Sequence, residues 1–429
     1  MRVKGLADQP PAAVLDGAAA VIASARRAVL ADRYAANLLT VEWRRLSELA
    51  SMTREWRALA ARALEPNVFY EPAFVLAAAP VFAGDAGALL VWSGTTARRL
   101  VGFFPARIER RRFGVKLPIL VGLTHPYGPL GVPLVEREAA EPVIAAWLAH
   151  LAADESLPGL LLLPLLPEDG PFAVALAAIV RRAQMSSADF NRHRRALLQP
   201  SGERSLYVKR SIGQHRRKEL RRHWRRLSET GAVLFTAATE QPAVAAALED
   251  FFTLEADGWK GRAGTATAQR RDLRRFVSAA VSGLAAEGKA SVDRLLVDGR
   301  AIAATIVLRS GRCAWFWKIA YDETFARFSP GVMLSVAVTD DLLDDVDIAR
   351  ADSCATADHP MIDHLWRERL ALCDRLIATR PRAPFAVARR LQGLRATAIM
   401  AAKRIRGLLH VSGHWTRASS GRVRTPAVR

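Results

Sequence analysis

Acid–base chemistry, anion binding and loop closure all have candidate residues between Tyr207 and Trp366 of this 429-residue chain. In the first stretch, Trp315-Phe316-Trp317-Lys318-Ile319 runs into a loop ending Arg327-Phe328-Ser329-Pro330-Gly331-Val332. Ser329 suits a helix N-cap, Pro330 suits the first helical position, and Gly331 leaves the backbone bare. Taken alone these residues only start a helix well. Placed after an aromatic strand, they predict a phosphate or pyrophosphate cradle, with Arg327 adding positive charge. The second stretch ends a helix in a Gly-rich basic loop, Gly258-Trp259-Lys260-Gly261-Arg262-Ala263-Gly264. Such a loop can fold over a ligand with Glu255 or Asp257 facing inward as a base; a solvated helix end accounts for it equally well. The third stretch sets Asp352 at a strand end, with His359, Asp363 and His364 near the next helix. His359 and His364 are five positions apart with Pro360 between them, which keeps them off one helical face and argues against a metal. Acid–base or substrate contacts fit better. Cys354 has no Cys–His signature around it and reads as a small buried residue.

The formal charge of +20 narrows the chemistry once it is located. Residues Glu203 to Arg226 hold ten Lys/Arg and two acids, and Pro381 to Arg429 hold eleven Lys/Arg and no acid. The rest is nearly neutral, so two local basic elements replace the picture of a general polyanion-coating surface. The three cysteines, Cys313, Cys354 and Cys373, match no zinc spacing and make no disulfide framework, which suits a reducing cytoplasm. No uncharged apolar run approaches the roughly 18–20 residues of a membrane span.

The elements that must position these residues follow from periodicity and turn signals. Residues 1–35 read as a mobile leader. In the first half, a strand at Leu38 to Val41 precedes a helix from Trp43 to Ala63. A hairpin (Ala88 to Trp92, Leu100 to Ile108), a helix (Glu138 to Leu151), a strand (Leu160 to Leu163) and a helix (Phe172 to Gln184) follow. The break at Gln199 to Gly202 predicts a boundary between residues 36–200 and 201–380. In the second half, Ser211 to Ser228 reads as a helix opened by a Ser211/Gln214 capping box and closed by Gly231. Val233 to Thr236 is a strand, and Pro242 to Glu255 and Arg270 to Glu287 are helices. A three-strand meander turns at Asp298-Gly299 and Ser310-Gly311. Helix Gly331 to Leu343, strand Ile348 to Ser353 and helix Ile362 to Leu372 complete the half. Residues 381–429 form a basic tail, with an amphipathic helix from Phe385 to Leu409. The fold class is mixed α/β (α+β), and the repeated element order suggests a duplication.

In this order the residues resemble the GNAT acetyltransferase superfamily, and within it the CelD-type proteins named for bacterial cellulose biosynthesis. Four patterns carry the resemblance: the basic segment Ser211 to Leu227, Glu255-x-x-x-Trp259-Lys260-Gly261-Arg262, Tyr321 to Gly331, and Asp352 to Trp366. It spans about residues 36 to 380. It implies tandem GNAT-like halves with mixed central sheets, as in the Fem-type aminoacyltransferases, and an acyl-CoA donor in the second half without a metal. Lys318 and Ile319 would line the pantetheine, and Arg327, Phe328, Ser329, Gly331 and Val332 would hold the pyrophosphate. The sequence departs from the superfamily pattern Q/R-x-x-G-x-G/A, with Pro330 and Val332 at the small positions and Gly331 between them.

The implied reaction is acyl transfer to an amine or hydroxyl, in exopolysaccharide (cellulose-like) or cell-envelope metabolism. Glu255 or Asp352, then His359 or His364, would act as base. Trp259, Lys260, Arg262 and Tyr321 would contact the substrate. Two rivals remain. One is a Fem-like transfer from charged tRNA held by the basic helix, which the absence of a coiled-coil heptad run disfavours; nucleic acid is not an expected partner. The other is a non-catalytic module bound to an anionic membrane through residues 383–409. The expected setting is cytoplasmic, with peripheral membrane contact through that tail.

Overall fold

The computed structural model describes residues 39–398 except 358 and 382. The predicted leader at 1–35 and the tail beyond 398 lie outside the described residues. The first half comprises β1 (Leu39–Arg45), α1 (Thr53–Arg62), α2 (Pro72–Ala78), β2 (Gly87–Ser93), β3 (Arg99–Arg112), β4 (Val115–Gly122), β5 (Leu134–Val135), α3 (Ala140–Ala153), β6 (Leu160–Pro167), α4 (Pro171–Arg182) and β7 (Ser187–Leu198). The second comprises α5 (Tyr207–Ser211), α6 (Gln214–Ser228), β8 (Val233–Ala238), α7 (Gln241–Asp257), α8 (Trp259–Arg262), α9 (Arg271–Ala285), β9 (Ala290–Val297), β10 (Arg300–Ser310), β11 (Cys313–Tyr321), α10 (Pro330–Asp344), β12 (Arg350–Asp352) and β13 (Glu368–Ala378). Among the described residues a further helix, α11, covers 385–398.

All thirteen strands join one mixed sheet in the order β1-β2-β3-β4-β6-β13-β7-β12-β11-β10-β9-β8, with β5 beside β3. Both halves repeat one plan: a strand, helices, an antiparallel meander, a helix, and a strand parallel to the last one of the meander. That parallel partner is β6 beside β4 in the first half and β12 beside β11 in the second. The final strand of each half is exchanged. β13 pairs with β6 of the first half, and β7 pairs with β12 of the second. β7 and β13 also pair with each other, which makes the sheet continuous. The loop expected near residue 200 therefore exists, but the sheet crosses it. Leu372, Cys373, Leu376 and Ile377 of β13 are fully buried at this seam. Burying each such aliphatic side chain contributes about 2 kcal/mol.

The meander is held by the predicted turns. Asp298 and Gly299 both have positive φ, at 47° and 79°, the conformation a two-residue hairpin needs. On one face of the second half, Phe316, Leu334, Val338, Leu342 and Trp366 form a core with Leu227 of α6. The other face joins α7 and α9 to the core of the first half through Phe74, Phe251, Phe276 and Trp317. Helix α11 does not stand free. Ala388, with Phe385 and Leu391, packs on Leu117, Ile119, Leu160, Leu162 and Leu376. Among the described residues no helix is long and apolar enough to cross a membrane.

Four local expectations need correction. The helix expected from Trp43 is strand β1 up to Arg45, a 3-10 turn over Leu46–Met52, and only then α1. Its pairing runs from Leu39↔Ser93 to Arg45↔Gly87, a contact that local periodicity does not report. The Ser211/Gln214 capping box does not form: Ser211 ends α5, and Gly213 caps α6 without a side-chain bond. Glu229, not Gly231, is the C-cap. The helix expected from Ile362 to Leu372 is a 3-10 turn, Ile362–His364, followed by β13. Irregular register near Leu372 to Asp374 breaks the alternation that would have marked β13 as a strand.

Candidate active site

β11 and β12 pair in parallel only at Cys313↔Arg350, Ala314↔Ala351 and Trp315↔Asp352. Beyond Trp315 the two strands part. The gap opens into a cavity of about 570 Å³ lined by Phe316 to Tyr321 of β11, Ser353 to Ala355 after β12, and Ser329 to Val332 at the start of α10. The loop after α7 forms the remaining wall through Glu255, Gly258, Trp259 and Lys260. In the first half, β4 and β6 pair only at Leu120↔Leu161 and Val121↔Leu162, the same arrangement. There the space is filled. The Gly131 amide donates to the Leu165 carbonyl, and a Cβ on Gly131 would lie 1.9 Å from the Pro164 carbonyl oxygen. The remaining void is about 10 Å³.

Lys318 lines the cavity, and a bulge in β11 sets the direction of its side chain. In register with β10, Ile306 faces Lys318 and Val307 faces Phe316, so Trp317 is the extra residue. A bulge turns a side chain that strict alternation would send to the other face. Neighbouring Trp317 and Lys318 accordingly both reach Tyr127: the Trp317 Nε1–H donates to the Tyr127 carbonyl at 2.8 Å, and Lys318 Nζ lies 4.3 Å from the Tyr127 ring centroid.

Glu255 accepts from Lys260 Nζ at 3.0 Å, lies 3.5 Å from Lys318 Nζ, and accepts the Thr267 amide at 2.8 Å. Burial alone would raise its pKa; the Lys318 and Lys260 ammonium groups outweigh this and hold it below the ordinary carboxylate range. Burial pushes Lys318 down to about 8, against the pull of Glu255. Tyr127 closes the cluster through a 3.2 Å contact between its hydroxyl and that of Thr267.

The Gly-rich loop is a short helix, α8. A Cβ on Gly261 would lie 1.6 Å from the Ala256 carbonyl oxygen, so only glycine fits there. The Trp259 amide donates to Glu323 at 2.7 Å, and Arg262 bridges the same carboxylate at 2.5 Å. Trp259 itself is 59% exposed at the rim. On the opposite wall, Ser329 sits at φ 57°, ψ 50° and makes no side-chain cap bond. Its predicted capping role is therefore not realised, and a non-glycine residue is held in the left-handed region at the mouth of the site.

The sequence-derived residues divide as follows. Glu255, His359, Lys318, Ile319, Ser329, Gly331, Val332, Trp259, Lys260 and Tyr321 line the cavity. Asp352 does not. Its carboxylate is taken up by buried Arg195 and by the Cys354 amide. Phe328 is buried in the core under α10, and Arg327 is exposed and stacks over its ring. Arg262 is spent on Glu323. His364 faces a second pocket of about 160 Å³, shared with Arg216, Ser335 and Arg367 and separated from the cavity by Val332 and Met361. The His359 Nδ1 accepts the Met361 amide at 3.4 Å, and burial lowers its pKa. Burial also pushes the Cys354 thiol well up, so it is not a thiolate. Tyr127, Thr267 and Arg195 escaped the sequence reading. The Gly/Pro-rich run around Tyr127 marks a loop, but nothing local says where it lands.

Residues 214–359 match the family model of the acetyltransferase (GNAT) domain. The match lies wholly within the second half. The crystal structure of FemX superposes with a TM-score of 0.51 at 8% identity, covering 76% of this chain and 96% of that one. This shows the fold: a mixed α/β tandem of GNAT-like halves. Two further likenesses are looser. One is the C-terminal domain of a putative lysylphosphatidylglycerol synthetase from Agrobacterium fabrum (TM-score 0.49, 12% identity, 82% and 96% covered). The other is a tandem GNAT protein from the clavulanic acid biosynthesis pathway (0.37, 14%, 80% and 99%). No curated protein matches the chain.

Proposed function

We propose that the chain transfers an acyl group from an acyl-CoA to an amine or hydroxyl acceptor. The observation that carries this reading is the parting of β11 from β12 at Trp315, inside the matched GNAT domain, beside the start of α10. A strand edge freed of its partner offers backbone groups to an extended donor arm, and amides there can polarise a thioester carbonyl. Gly331 is tightly set: a Cβ would lie 3.2 Å from the Tyr321 ring. Acceptors of exopolysaccharide or cell-envelope type remain part of the proposal, as does a cytoplasmic setting.

Calorimetry with acetyl-CoA tests the donor. One molecule should bind per chain, and Gly331→Asp should abolish binding by adding bulk and negative charge. Unchanged affinity in that variant would remove the start of α10 from the site.

One observation favours transfer from an aminoacyl-tRNA as a second reading. Arg216, Lys218, Arg221, Arg222, Arg225 and Arg226 are exposed on α6, and no ion pair among the described residues engages them. FemX shares the fold. Under this reading tRNA binding would fall steeply with salt, and charge reversal on α6 would flatten that dependence.

A further inference from the structure

We propose that Lys318 is the general base of the cavity, taking the proton from the attacking atom of the acceptor and returning it to the leaving thiolate. This rests on the acyl-transfer reading above. The bulge at Trp317 aims Lys318 away from the face that alternation would give it and into the space between the halves. There its side chain is 14% exposed, within 3.5 Å of Glu255.

The surroundings lower the cost of a neutral amine at that point. Glu255 of α7 pulls towards the ammonium form. Burial and Lys260 of α8 push towards the amine, whereas the face of the Tyr127 ring favours the ammonium. Tyr321, Glu323, Cys354 and His359 are the other titratable groups on the cavity wall. Glu255 itself accepts from the Lys260 ammonium and the Thr267 amide, which leaves it a weak base. Asp352 is engaged by Arg195, His364 lies in the neighbouring pocket, and the His359 Nδ1 already holds a proton donor. Lys318 is thus the cavity amine that the bulge sets beside Glu255, with burial pushing its pKa down to about 8.

The step balances without a further reactant. The acceptor nitrogen or oxygen forms its bond to the acyl carbon as its N–H or O–H bond breaks, and Lys318 Nζ takes the proton. The tetrahedral centre then collapses: the C–S bond breaks, the electron pair leaves on sulfur, and the Lys318 ammonium protonates the thiolate.

Competitive labelling with acetic anhydride, read at Lys318 by mass spectrometry, tests the titration in the intact protein. Half-maximal reactivity is expected near pH 8, and Glu255→Gln should move it lower because the stabilising carboxylate charge is gone. A midpoint near that of an ordinary lysine would overturn the proposal. Thiol release from acetyl-CoA, with a panel of primary amines and amino sugars, tests the chemistry. The rate should rise with pH along the same midpoint. Lys318→Arg should keep the positive charge but lose about 10²–10⁴ in kcat along with that limb. Lys318→Ala should recover in part with added small amines. A Lys318→Arg enzyme that keeps rate and limb would overturn the base alone. Failure of wild type to bind acetyl-CoA or release thiol with any acceptor would overturn the acyl-transfer reading, and the base would fall with it.

Discussion

Arg195 of β7 donates to the Asp352 carboxylate of β12, forming a buried ion pair where the exchanged strand of the first half joins the sheet of the second. Arg195 also donates to the Pro129 carbonyl at 2.9 Å, in the loop that carries Tyr127. One guanidinium therefore ties the seam of the sheet to the loop that packs on Lys318.

Removing one partner of this pair strands the other charge in the interior. Arg195→Met should cost about 3–5 kcal/mol in urea unfolding. Adding Asp352→Leu should recover much of that loss, since an apolar pair often replaces a buried ion pair without net cost. If the double variant also keeps its thiol-release activity, Asp352 is structural; selective loss of kcat would restore it as a candidate base.

Gly261→Ala forces a methyl group onto the Ala256 carbonyl. It should destabilise the fold by about 1–3 kcal/mol, as overpacking does. It should also weaken acetyl-CoA binding by displacing Trp259 and Lys260. Calorimetry and thermal unfolding would read the two effects separately.

His125 is stacked on Phe82 at 4.2 Å, and burial pushes its pKa down to about 4. The unfolded chain binds the proton near pH 6.5, so between those values the unfolded state holds more protons than the folded one. Stability from this site is present above pH 6.5 and is lost as pH falls towards 4, by about 2–3 kcal/mol. His125→Phe should flatten the stability profile in that window, as followed by urea midpoints at several pH values.

The packing of Ala388 on the sheet changes how the basic tail must be tested. A chain ending at 383 uncovers Leu117, Leu160 and Leu162 and should lose thermal stability. One ending at 398 should keep its Tm. Flotation with anionic vesicles, comparing full chain and the 398 truncation, then reads membrane contact alone. Equal flotation would remove residues 399–429 from the interaction.

The first half is expected to bind no donor, because the Gly131 segment occupies its gap. Calorimetric stoichiometry should stay at one per chain, and it should remain one in Gly131→Ala if the donor sits only beside α10. A second site in wild type would show that the plug opens.

Much of the second half was legible locally. Asp298-Gly299 specified its own turn through positive φ, and the apolar runs on either side read as strands. Pro330 and Gly331 announced α10, and the Gly258 to Gly264 run marked the end of α7 beside the cavity. Strands β7 and β13 were not legible. β7 (Ser-Ala-Asp-Phe-Asn-Arg-His-Arg-Arg-Ala-Leu-Leu) reads as polar, and its buried Arg195 is neutralised by Asp352, 157 residues away. The irregular register of β13 hides its period.

By itself the sequence determined the meander, the turns that close it, the helix start beside the cavity and the concentration of charge in α6 and the tail. These depend on backbone preferences and spacing within a few residues. Only the tertiary structure decided the strand exchange, the filled gap in the first half and the company of Lys318. Each depends on groups far apart in the chain: Gly131 against Pro164, Arg195 against Asp352, Tyr127 beside Lys318 and Glu255. A lysine in an aromatic strand reads as a solvated charge until the fold removes its water and sets a carboxylate and a second ammonium beside it.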